Sequence, residues 1–104
     1  MKRLLIFPAI AVALGGSAAL AASPKPYVGH ELASTAHITL VQAQATALKA
    51  RPGQVTDKEL EKEAGGSGMR YSFDIKSHGK TYEVGIDAQS GKILENQAEG
   101  PNPD

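Results

Sequence analysis

His30-Glu31 opens like the helical motif of zinc proteases, in which a second histidine four residues on lets two imidazoles face one metal ion. Position 34 is Ser34. His37 lies seven residues after His30 and could share a helical face with it, but Gly29 and the weak local periodicity speak against that helix, and both histidines read as solvated. No serine sits in a Gly-x-Ser-x-Gly elbow and there is no cysteine nucleophile. The glycines around Ser67 lack the lysine and helix start of a phosphate loop. Carboxylates remain. Glu59, Asp74 and Glu83 would stand in a row if the chain around them were three paired strands. Such a row repels itself unless Lys76 reaches over diagonally or a hard cation such as calcium sits between the carboxylates. These three are the candidate cation ligands, against the plainer reading of a solvated face balanced by lysines.

The elements that must position them centre on Tyr71 to Asn96. With His78-Gly79 as a two-residue loop, Ser77 faces Lys80, which puts Ile75 opposite Tyr82, Phe73 opposite Val84 and Tyr71 opposite Ile86. Every apolar residue finds an apolar partner. The other face receives Arg70, Ser72, Asp74 and Lys76 with Thr81, Glu83, Gly85 and Asp87, as a sheet with one wet side requires. A type I′ turn needs positive φ at both loop positions, which histidine tolerates better than branched residues and glycine accepts freely. Ser90-Gly91 marks a further turn, and Lys92 to Asn96 reads as a short edge strand carrying Ile93.

Before the hairpin, Thr39 and Gln42 make a capping box with Ile38 placed as a hydrophobic staple. The helix they start puts Val41, Ala45 and Leu48 on one face, with Ala43, Ala47 and Ala50 beside them, and ends at Pro52-Gly53. Gln54 to Ala64 supports two readings. Thr56 with Glu59 is a second capping box and favours a short helix. Extended, the same residues pair with the next strand through a loop Ala64 to Met69, placing Leu60 opposite Phe73, Glu63 opposite Arg70 and Asp57 opposite Lys76, with a bulge or a twist near Asp57 needed because Val55 falls on the wrong face. On the residues alone the two readings balance. The extended one sets Arg70 between Glu63 and Asp87 on a solvated face, where a guanidinium can serve two carboxylates.

Residues 1–22 read as a signal peptide: Lys2 and Arg3, an apolar run Leu4 to Leu14, and the small-x-small site Ala19-Leu20-Ala21. Pro8, Gly15 and Gly16 break the run, which falls short of the roughly 20 residues that span a bilayer. No stable membrane anchor is expected after cleavage, and localisation is expected to be periplasmic or secreted. Without Lys2 and Arg3, nine basic residues face eleven acidic ones with no basic cluster, which argues against a nucleic-acid partner. Residues 23–37, with Pro24, Pro26 and Gly29, read as a leader with one helical turn near Glu31 to Ser34, and 98–104 as a disordered tail. What lies between, 38–97, is one small domain with a thin core, too small for a large buried active site.

The order of a helix ending in Pro-Gly, then Glu59-Leu60-Glu61, Tyr71-Ser72-Phe73-Asp74-Ile75, Tyr82-Glu83-Val84-Gly85-Ile86-Asp87-Ala88 and Ser90-Gly91-Lys92 resembles the PepSY domain family, known from propeptides of thermolysin-type metalloproteases and from small exported bacterial proteins. The resemblance implies that Glu59-Leu60-Glu61 is a strand, and it brings no catalytic residues with it. The expectation is an α+β fold, one helix packed on a three- to four-stranded antiparallel sheet. Its core is Val41, Leu48, Leu60, Tyr71, Phe73, Ile75, Val84 and Ile86, with Tyr82 partly covered. In function it is expected to be an exported, non-catalytic binding module without a cofactor, engaging or restraining a peptidase or another periplasmic protein. The alternative is a small-ligand or cation-binding sensor or buffer that uses the acidic sheet face.

Overall fold

The computed structural model describes residues 26–100. A 3₁₀ helix, His30–Thr35, precedes helix α1, Leu40–Ala50, and four strands follow: β1 Gln54–Lys62, β2 Met69–Ser77, β3 Lys80–Asp87 and β4 Ile93–Ala98. The strands form one antiparallel sheet in the order β1-β2-β3-β4, with α1 packed on one face. The fold is therefore α+β, and residues 54–62 are strand, not helix. The signal-peptide reading of 1–22 and the last residues of the tail lie outside the described residues.

The β2–β3 hairpin has the expected register throughout, from Ser77↔Lys80 to Tyr71↔Ile86 and on to Arg70↔Asp87. His78 (φ 53°) and Gly79 (φ 79°) are both left-handed, as a type I′ loop requires. Helix α1 begins with the predicted box. The Thr39 hydroxyl accepts from the Gln42 amide at 3.1 Å, and the Thr39 amide donates to Gln42 Oε1 at 2.9 Å.

Three expectations fail. The β1–β2 register is displaced by two residues: Leu60 faces Tyr71, Glu61 faces Arg70 and Asp57 faces Asp74. The cause is the loop. The Glu63 amide donates to Gly68 O at 3.0 Å and the Gly68 amide to Gly65 O at 3.0 Å, so the pairing runs on past Lys62 and the chain reverses within 64–67. Left-handed Gly65, Gly66 and Gly68 permit so tight a return. A two-residue slip preserves every face, because side chains alternate with period two. The bulge between Val55 and Asp57 is present and returns Val55 to the core side, opposite Ile75.

The second failure is the phase of α1. Leu40, Ala43 and Ala47 are buried, Leu48 is partly buried, and Val41 is 62% exposed. A stripe with two alanines lets the helix sit close over Phe73 and its neighbours, whereas the Val41–Ala45 stripe is turned to solvent. The fully covered large side chains are Tyr71, Phe73, Leu60, Ile75, Ile86 and Val84, each worth roughly 1.5–3 kcal/mol on burial. Tyr82 is partly covered as expected, with the Arg51 guanidinium 3.8 Å above its ring.

Third, the two ends are more structured than their composition suggested. Val28 forms a parallel bridge to Glu59, the Leu60 amide donates to Val28 O at 2.9 Å, and Tyr27, Leu32 and Ala36 pack against the core. Gly29 is required at that contact: its φ is +88°, and a Cβ would lie 1.7 Å from the Leu60 oxygen. At the other end β4 runs to Ala98 rather than Asn96, and the Glu99 amide donates to Thr81 O at 2.9 Å.

Candidate binding surfaces

The sheet face opposite α1 carries the acidic residues. Asp74 and Glu83 are cross-strand neighbours as expected, but the β1 member of their row is Asp57; Glu59 lies two pairs further along, opposite Ser72. Asp57, Glu59, Ser72, Asp74, Glu83 and Glu99 line a polar depression of about 260 Å³. Asp57 and Glu99 were missed in sequence because the first depended on the length of the β1–β2 loop and the second on an extended β4. Burial, with Glu99 and Asp57 alongside, raises the Asp74 carboxyl to about 6. Burial and then Glu61, Asp57 and Asp74 also push Glu59 upward. Among the described residues no three histidine, aspartate or glutamate side chains are placed to hold a metal ion. His30 instead meets Tyr27 edge-on, with ring centroids 6.1 Å apart.

Towards the β1–β2 loop the same face closes over. Arg70 and Asp87, expected to be solvated partners, are 6% and 4% exposed, and although they are cross-strand neighbours their side chains form no ion pair with each other. Arg70 reaches Glu95 at 3.3 Å and Glu63 at 3.7 Å, and donates to Ala64 O at 3.0 Å. Asp87 accepts from the Ser67 and Ser90 hydroxyls and the Gln89 amide. Burial would raise this carboxyl, but those donors outweigh it and hold it at about 2. Ser72 donates to Glu61 Oε2 at 2.6 Å. These polar contacts fasten the loop and β4 to the sheet.

On the α1 side, a groove of about 1130 Å³ runs between the helix and the outer edge of β1, lined by Tyr27, His30, Gln44, Leu48, Val55 and Lys58 among others. The Leu60 amide points outward from β1 to Val28, so by strand alternation the Lys58 amide points the same way, into the groove. Pro26, the next residue of the bridging segment outside Tyr27, has no N–H to extend the pairing. The groove thus combines an open strand edge with a partly apolar wall. Sequence reasoning missed it because the segment that forms its far wall, Pro26–Glu31, shows no sustained period and read only as a leader into the domain. A smaller cavity of about 490 Å³ adjoins it behind Tyr27, where Tyr71 donates to Ile38 O at 2.9 Å. Burial, with Tyr27 beside it, takes the Tyr71 hydroxyl to about 12.

A family model for PepSY, described as the peptidase propeptide and YPEB domain, matches residues 38–96. Searches of curated proteins and of solved structures found no match. The matched span runs from the staple residue of α1 to within β4.

Proposed function

Because the chain belongs to the PepSY family, we propose that it is an exported, non-catalytic binding module that engages or restrains a peptidase or another exported protein. The observation that carries this reading is the match to a peptidase-propeptide family from the start of α1 to within β4. The groove beside β1 is the surface of choice, because an extended segment of the partner can add to the strand edge at Lys58 while its side chains meet Leu48 and Val55. Export rests on the features of residues 1–22 and predicts a mature N-terminus at Ala22, which N-terminal sequencing of the exported protein reads directly.

The test is inhibition. Protein purified from cells expressing the full chain should reduce the activity of a peptidase exported by the same cells. Leu48→Asp should weaken that effect by at least about tenfold, as loss of a groove contact does. If no exported protein is captured and peptidase activity is unchanged, the proposal loses its support. The acidic depression is a weaker basis for function, since among the described residues no three of its carboxylates are placed to hold a metal ion.

A further inference from the structure

The segment before α1 is held firmly at one end and lightly at the other. At its junction with the helix the His37 and Ile38 amides both donate to Ala88 O, at 3.0 and 3.1 Å, and Gln89 Nε2 donates to Thr35 O at 2.8 Å. Towards Pro26 the hold is slighter. Val28 meets β1 in an isolated bridge and is 71% exposed, and no residue of the 3₁₀ helix His30–Thr35 is buried. Tyr27 and Leu32 are partly covered. A contact with so little buried apolar surface and so exposed a backbone bond opens locally at small cost. The segment also lies outside 38–96, the span that matches the family.

What it covers is the edge that the proposed function uses. Val28 takes up the Leu60 amide, the next outward donor of β1 after that of Lys58. Tyr27, one residue earlier and so facing the other way, stands between the groove of about 1130 Å³ and the cavity of about 490 Å³ and lines both. With Tyr27 withdrawn the two join into one trough, in which Leu48 and Val55 continue into Leu40 and Tyr71.

We infer that Pro26–Thr35 is a displaceable strap, a built-in competitor that occupies one end of the partner's site and yields it to an extended segment of the exported partner. The inference rests on the proposal that the groove receives such a segment, and it adds how access is regulated. The strap also shows what the incoming segment is like. That segment runs parallel to β1, sets an aromatic side chain where Tyr27 stands, and carries glycine two residues later, since a Cβ at Gly29 would lie 1.7 Å from the Leu60 oxygen. The strap leaves the groove beside it open. A segment that also engages the Lys58 amide, Leu48 and Val55 therefore gains contacts beyond the strap's own and displaces it by that difference.

A synthetic peptide of residues 26–36, offered to protein purified from cells expressing the full chain, tests the strap separately from the partner. In the parent the tethered strap holds the site. The peptide should bind it at least about tenfold more weakly than it binds Gly29→Ala or Tyr27→Ala, because apparent affinity scales with the fraction of sites that are open. In both variants the peptide should slow exchange of the Leu60 amide, and a peptide with alanine in place of its glycine should not. Val28→Cys with Glu59→Cys, bridge partners in a chain without cysteine, should lock the strap through a disulfide and abolish peptidase inhibition until the bond is reduced. Equal peptide binding by parent and loosened variants, binding by none of them, or inhibition indifferent to the lock would each overturn the inference. Peptide exchange as expected, with no peptidase inhibited by any form of the chain, would instead overturn the proposed function and with it the partner's place in this scheme.

Discussion

Arg70 shows how burial changes the worth of a charge. On a solvated face its removal would cost well under 1 kcal/mol, but its side chain is 8% exposed and bonded to Glu95 and the Ala64 carbonyl. Arg70→Ala should therefore cost about 2 kcal/mol, less than the full penalty for breaking a buried pair because Glu95 and Glu63 can still reach water. The loss should change little in high salt. Phe73→Ala should still exceed it, at about 3–5 kcal/mol, since Phe73 is fully buried at the centre of a thin core. Urea titration of both variants measures the ordering. Arg70 as a central, charged residue was legible in the sequence, and so was its link to Glu63. Its burial was not, because that depends on the Gly65–Gly68 loop and β4 closing over it.

At the scale of elements, the docking of the N-terminal segment and the phase of α1 are the points to test. Gly29→Ala cannot be accommodated against Leu60 without moving one of them. The expected result is a stable sheet with a detached 3₁₀ helix, seen as faster exchange of the Leu60 amide, which now bonds to Val28. For α1, Val41→Ser should stay within about 0.5 kcal/mol of the parent, as a substitution at an exposed site does. Ala47→Leu should destabilise by about 1–3 kcal/mol, because Ala47 is wholly buried between helix and sheet. Thermal melts of the pair distinguish the observed phase from one with Val41 inward. The capping box located the start of the helix to the residue. The face it buries could not be read from apolar spacing, since alanine is compatible with either side.

For the whole molecule, the acidic face makes stability depend on pH in two opposite ways. Asp74 has a folded-state pKa of about 6 against an ordinary 3.8, so the folded protein binds that proton more tightly than the unfolded chain does. Its contribution is therefore gained as pH falls from about 6 to about 4 and lost again as pH rises through that window. Asp87 has the opposite sign: its folded-state pKa of about 2 gives stability that is present above about 4 and lost as pH falls towards 2. Denaturation across this range should show a maximum near pH 4–5, and Asp74→Asn should reduce the rise between about 6 and 4, leaving the part that the raised Glu59 carboxyl supplies, and should leave the acid loss intact. What the sequence determined by itself was whatever is encoded by alternation and local turn chemistry: the β2–β3 register, the cap of α1 and the separation of an apolar from an acidic face. Tertiary structure decided the rest. The length of the glycine loop moved β1 by two residues and so replaced Glu59 with Asp57 in the acidic row, and packing against the sheet chose Leu40, Ala43 and Ala47 over Val41. Both are long-range outcomes, because a two-residue slip and a turn of the helix leave every local preference equally satisfied and differ only in what meets across the core.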